Sequence, residues 1–286
     1  MNGVAAARPA QRVRAGDVVQ VDTPVAPPRQ APTAEPRPLS ILYEDASILV
    51  LVKPPGVVAH PSSAHRSGTL LNALLWHAGR NPGEASGWQP RLVQRLDKDT
   101  SGLLVVAKSP EVHTTLQGEH AHFVKEYLAL VWGRPQPARG AIDHRLGRDP
   151  LDRRRVMVRE SGAAAMTRYV VLDRSRGTRR GLSLVSCELV TGRTHQLRVH
   201  LASQGWPIVG DQTYGEPSRT RIADTAVDRA ARAFVRQALH AWRLQFVHPR
   251  SGRLLQFEAP VPPDMAALMA MSALGRGLPR VLAPRV

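Results

Sequence analysis

Chemistry in this chain gathers in one stretch, Arg91 to Lys108, which reads RLVQRLDKDTSGLLVVAK. Its carboxylate, Asp97, comes just before Leu103-Leu104-Val105-Val106-Ala107, an apolar run of strand length rich in β-branched residues. Thr100-Ser101-Gly102 supplies the turn between them. An acid on a loop braced by a buried strand is well placed to react. The neighbouring Arg95 and Lys98 favour its ionised form and offer charge to a polyanion. The plainer alternative is an aspartate that caps a turn. Two more segments carry polar groups: KEYLALVW, Lys125 to Trp132, with Tyr127, and TGRTHQLRVH, Thr191 to His200, with Arg193, His195 and Arg198. Tyr127 alone reads as a core tyrosine with a bonded hydroxyl. His195 and His200 fall on different faces of a helix, which argues against a metal site.

These groups need a frame. Ile41-Leu42-Tyr43 and Ser47 to Lys53 predict two strands joined at Glu44-Asp45, the second stopped by Pro54-Pro55-Gly56. Thr69 to Ala78 predicts a helix that buries Leu70, Leu71, Leu74 and Leu75 and ends at Gly79. Ser109-Pro110-Glu111 opens another, running to Gly118. Lys125 to Trp132 is apolar on both sides and reads as a central strand, with Tyr169 to Leu172 and Leu182 to Leu189 as further strands. Thr191-Gly192-Arg193 turns the last into a helix from Thr194 to Gln204, so that Thr194 and Arg198 share a face. Asp224 to Arg236 predicts an arginine-rich surface helix, His240 to Val247 and Leu254 to Ala259 a hairpin, and Asp264 to Ala273 a terminal helix. The fold class expected is α+β: a mixed, mostly antiparallel sheet with flanking helices.

Ahead of this body, residues 1–22 hold a turn at Asn2-Gly3 and a short strand at Val19 and Val21. Residues 23–38 carry six prolines and read as a semi-extended linker, with the catalytic body at 39–275 and a basic tail at 276–286. Lysine plus arginine outnumber aspartate plus glutamate by 39 to 23 in the 286 residues, a formal +16 that favours a nucleic acid or another acidic partner. The densest basic runs, Arg153-Arg154-Arg155 and Arg174 to Arg180, suit phosphate contacts. Cys187 is the only cysteine, so no intramolecular disulfide forms, and neither a membrane-spanning run nor a signal core is present. A monomer in the cytoplasm is expected.

Arg95-Leu96-Asp97, followed by Asp99-Thr100-Ser101-Gly102 and an apolar strand, resembles the signature of the RluA family of RNA pseudouridine synthases. KEYLALVW and TGRTHQLRVH are two further matches, and Lys53-Pro54, Gly56 and His60-Pro61 resemble the family's entry motif. Gln94 departs from the histidine the family usually places before the arginine. The resemblance covers nearly everything from Ser40 to Ala273 and implies the pseudouridine synthase fold with a central basic cleft. It implies Asp97 as nucleophile, Tyr127 as the aromatic residue against the target uracil, and Arg198 as the partner of Asp97. It also places Lys53, His60, Arg95, Arg193 and His195 near the RNA, with Arg95 entering the space left by the flipped base. Residues 1–22 are similar to the final hairpin of an S4 RNA-binding domain, truncated here.

Physical chemistry agrees with the Asp97–Arg198 pair: a buried carboxylate without counter-charge takes up a proton, and an arginine can satisfy both oxygens with its planar fork. The implied reaction is isomerisation of uridine in RNA without cofactor or metal. His60-Pro61, the Thr69 helix and the Asp224 region are most like the branch that modifies 23S rRNA, with a transfer RNA or another rRNA site as alternatives. Two rival classes are an rRNA-binding or ribosome assembly factor without chemistry and a hydrolase using Asp97 as acid or base. The set of Asp97, Tyr127 and Arg198 favours catalysis, and the lack of a second positioned carboxylate counts against the hydrolase.

Overall fold

The computed structural model describes residues 12–19, 31–62, 65–79, 88–175, 181–215 and 225–278. The expected features at Asn2-Gly3, Val21, Asp224, 176–180 and 279–286 lie outside them. The chain divides into two compact units, Met1–Ala31 and Pro32–Val286. In the first, the described residues 12–19 form no strand; a turn closes there instead, with Asp17 N–H donating to the Arg14 carbonyl and Arg14 N–H to the Asp17 carboxylate.

The apolar runs of the second unit become strands β1 (Ser40–Glu44), β2 (Ile48–Lys53), β3 (Arg91–Leu92), β4 (Ser101–Ala107), β5 (Val124–Trp132), β6 (Arg139–Asp143), β7 (Leu146–Arg148), β8 (Val156–Val158), β9 (Met166–Arg174), β10 (Leu182–Leu189), β11 (Leu239–Val247) and β12 (Leu254–Glu258). Ten of them form one sheet ordered β1-β2-β4-β11-β5-β10-β9-β6, with β3 paired to β4 and β12 to β11, while β7 and β8 make a separate hairpin. All pairs are antiparallel except β4 with β11. The α+β class with a mixed, mostly antiparallel sheet is therefore the observed one. Every residue of β4 is buried, as are the last six of β5, which β11 and β10 cover edge to edge. At the parallel contact Gly102 lies opposite Ala241 with φ +118, and any side chain there would strike the Ala241 backbone.

Among the described residues five α-helices flank the sheet: α1 (Leu70–Ala78), α2 (Pro110–Gln117), α3 (Gln196–Ser203), α4 (Thr225–Arg232) and α5 (Pro263–Met271). Thr69 and Asn72 cap α1 reciprocally, and Ser109 caps α2 ahead of a proline in its first turn. Several expected boundaries move, and α4 ends at Arg232 rather than Arg236. Strand β9 is nine residues long because it pairs with both β6 and β10. Helix α3 starts at Gln196, since His195 is left-handed with φ 54, and Thr194 stays outside it. The supposed linker is docked from Thr33 onward: Asn72 Nδ2 donates to the Thr33 carbonyl at 2.7 Å and Glu35 accepts the Gly68 amide at 2.9 Å. Among the described residues no helix is long and apolar enough to cross a membrane.

Candidate active site

Asp97 is in the loop between β3 and β4, Tyr127 is on β5, and Arg198 is on α3. Two side chains moor α3 to β9. Gln196 Nε2 donates to the Met166 carbonyl at 2.9 Å, and His200 holds the Thr167 hydroxyl at 3.0 Å through Nδ1 and the His144 carbonyl at 3.0 Å through Nε2. This mooring brings Arg198 Nη1 to 3.0 Å from Asp97 Oδ2 across 101 residues of sequence.

The expected fork, however, is spent elsewhere. Arg198 Nε and Nη2 grip Asp211 Oδ2 and Oδ1 at 2.7 and 2.8 Å, leaving Asp97 a single end-on bond. Asp211 also accepts the backbone N–H groups of Thr213 and Tyr214, at 2.9 and 3.1 Å. Its side chain is 1% exposed, against 28% for Asp97. Burial works against the charge of Asp211, but the Arg198 guanidinium overcomes it and holds this carboxyl below the usual range. Burial likewise opposes the Arg198 charge, and the two carboxylates win, raising its proton affinity further. Arg198 thus balances two acids, and the triad keeps a net negative charge. A second positioned carboxylate exists after all, but it is sealed and fully bonded, so it is no water-activating base. The only sequence sign of Asp211 was its Asx-turn setting after Gly210, whose φ of +73 faces the Arg236 backbone.

Tyr127 is buried, and its phenol is pushed upward by burial first and by the negative charge of Asp97 second. It therefore stays protonated next to the acid. His195 completes the group: Nε2 lies 3.9 Å from Asp97 Oδ2 and Nδ1 lies 2.8 Å from the Tyr214 hydroxyl. That hydroxyl also accepts Val156 N–H at 2.8 Å, which fixes the ring of Tyr214 beside His195. Burial lowers the His195 pKa, with Asp97 opposing, and keeps the ring neutral.

The remaining residues divide. Arg95, His60 and Arg193 are exposed, Arg193 donating to the Ala164 carbonyl at 3.0 Å. Lys53 overturns its expected place beside RNA. It is 0% exposed, and its ammonium donates to the carbonyls of Pro54, Val57 and Lys98 at 2.8, 2.9 and 2.9 Å. Burial pushes its pKa down to about 7 against the pull of Asp99 and Asp97. Lysine at the end of β2 serves the interior because three carbonyls there match its three N–H donors. Gln94 Nε2 approaches the Leu103 carbonyl at 3.5 Å, while its buried Oε1 has no partner among the described residues.

Comparison with known proteins fits this geometry. The family model described as RNA pseudouridylate synthase matches residues 47–203. The Ribosomal large subunit pseudouridine synthase D of Nitrosomonas europaea is 43% identical over 267 residues, covering 93% of this chain and 74% of the relative. Its namesake in Zymomonas mobilis is 41% identical over 270 residues, covering 92% and 81%. The solved human structure described as RNA Pseudouridylate Synthase Domain Containing 1 superposes with a TM-score of 0.60 at 32% identity, over 81% of this chain and 87% of that one. With one constellation, one matching family model and relatives aligned along nearly its whole length, this chain belongs to the RNA pseudouridylate synthase family.

Proposed function

We propose that this protein isomerises specific uridines to pseudouridine in the 23S rRNA of the large ribosomal subunit, with Asp97 as nucleophile. One observation carries the assignment of roles: Asp97 is the carboxylate that Arg198 holds by a single bond, so Oδ1 has no hydrogen-bond partner among the described residues. An ionised oxygen with a free lone pair can attack; one locked in a fork cannot. The relatives named for the large ribosomal subunit support the substrate.

The target nucleotide must leave its stack, at a cost of a few kcal/mol, and Arg95, exposed just ahead of Asp97, fills the space it vacates. Tyr127 supplies an aromatic surface for the extruded uracil. Asp97 attacks as the C1′–N1 bond breaks, the uracil turns, and C1′ bonds to C5 as the bond to Asp97 breaks and frees its carboxylate. C5 then gives up a proton and N1 gains one, so atoms and charge balance without a cosubstrate. Phosphates meet Arg193, His60 and the arginines of the β7–β8 hairpin, an interaction that weakens steeply with salt. Residues 1–22 act as an accessory RNA-binding segment, residues 39–275 as the catalytic body, and the protein works as a cytoplasmic monomer.

The test is to delete the gene, map pseudouridines across total RNA, and complement with wild type and with Asp97→Asn. Specific large-subunit sites should vanish and return only with wild type. Restoration by Asp97→Asn would remove Asp97 from the role of nucleophile, and losses confined to transfer RNA would replace the substrate.

A further inference from the structure

Four consecutive residues after Asp97 are each held by one buried side chain from elsewhere. The Lys98 carbonyl accepts from Lys53 at 2.9 Å, the Asp99 carbonyl from Arg236 Nη1 at 3.1 Å, and the Thr100 hydroxyl from Gln237 Nε2 at 3.1 Å, while the Ser101 hydroxyl pairs with His240 Nδ1 at 2.9 Å. Three of these four partners come from one short stretch that leads into β11. The same stretch touches the loop of the other carboxylate. Ala238 N–H donates to the Val209 carbonyl at 2.8 Å, and the Arg236 backbone packs so closely on Gly210 that no side chain fits there. One strut therefore bears on the Asp97 loop and on the Asp211 loop, and Arg198 spans the gap between them.

Arg236 is the rigid member of this strut. Its Nε and Nη2 fork onto Asp264 of α5 at 2.6 and 2.8 Å, and Nη1 bonds the carbonyls of Gln237 and Asp99. A purely structural ion pair would be complete at Asp264. The extra bond ties the fork to the second residue after Asp97, and a planar guanidinium fixes its direction. We infer that Arg236 and Gln237 are positioning residues of the isomerisation, together holding the Asp97 loop at its working distance from Arg198 through the Asp99 carbonyl and the Thr100 hydroxyl. This rests on the reading of Asp97 as nucleophile.

The experiment measures kcat and KM of wild type, Arg236→Gln, Arg236→Lys and Gln237→Leu on an unmodified large-subunit rRNA transcript, with backbone amide exchange of the 97–101 segment read by mass spectrometry. Arg236→Gln should lower kcat about 100-fold, as expected when a reacting group is displaced by an ångström, with KM within about 2-fold. Its 97–101 amides should exchange faster while those of β9 and β10 do not. Arg236→Lys, which keeps the charge but has a single donor nitrogen in place of the fork, should recover about 10-fold of the loss. Gln237→Leu leaves the Asp264 fork intact, and even if Arg236→Gln does not fold it should lower kcat about 10-fold at unchanged KM. Wild-type kcat in folded Arg236→Gln, or in Gln237→Leu if the former does not fold, overturns the inference while leaving Asp97 in place, and so does a loss seen only in KM. An inactive wild type overturns the proposed function itself, and this inference with it.

Discussion

Two loops bring a carboxylate to the same guanidinium, and they treat it in opposite ways. The Asp211 loop surrounds its acid with a bidentate arginine and two backbone N–H groups and leaves it 1% exposed. The Asp97 loop gives its acid one bond and leaves it 28% exposed, placing its supporting bonds on the four residues behind it instead. The contrast separates two uses of one residue type. A carboxylate whose lone pairs are all engaged is a structural fixture, and a reactive one must have its backbone fixed and its oxygen spare.

The largest effect should come from Asp97→Asn, which should abolish pseudouridine formation while RNA affinity and thermal midpoint stay near wild type. A large fall in the midpoint would mean that the two acids are equivalent after all. Asp211→Ala should invert this pattern. It strands a buried arginine, so urea unfolding should show a loss of about 3 to 5 kcal/mol, and residual activity should survive in whatever protein remains folded.

Acid should distinguish the loops further. Burial pushes His240, behind the Asp97 loop, down to about 4, so the native state keeps it neutral while the unfolded chain protonates it near 6.5. The unfolded state then binds more protons between those values, and the associated stability, about 3 kcal/mol, is complete above pH 6.5 and lost as pH falls towards 4. Stability of His240→Asn should depend less on pH across that window; an unchanged slope would detach His240 from the loop. The smallest effect concerns Tyr127. Asp97 raises its phenol only as a second cause after burial, so in Asp97→Asn its ultraviolet titration should move down modestly and stay above that of free tyrosine.

Much of this arrangement was legible in the chain. The apolar run at β4 marked a buried strand, the two-sided apolar β5 marked the sheet centre, and capping residues marked α1 and α2. Asp97, Tyr127 and Arg198 were each named, and the fold does bring them together. What escaped depended on long-range partners. Lys53 is placed beside the RNA by its resemblance to the family's entry motif, and nothing local announces the carbonyls of Val57 and Lys98 that receive it. Asp211 was passed over as loop because its importance lies in Arg198, 13 residues earlier in the chain. The late start of α3 follows from the left-handed backbone of His195, which its neighbours in sequence do not encode.

Strand β11 separates β4 from β5 although it is synthesised more than a hundred residues after both begin to emerge. A nascent chain halted before Leu239 would possess Asp97, Tyr127 and Arg198 yet lack the ribbon that joins their strands. Such an intermediate would lack the isomerase chemistry. Competence would arrive late in translation, as the wedge-like insertion of β11 and the residues after it closes the sheet.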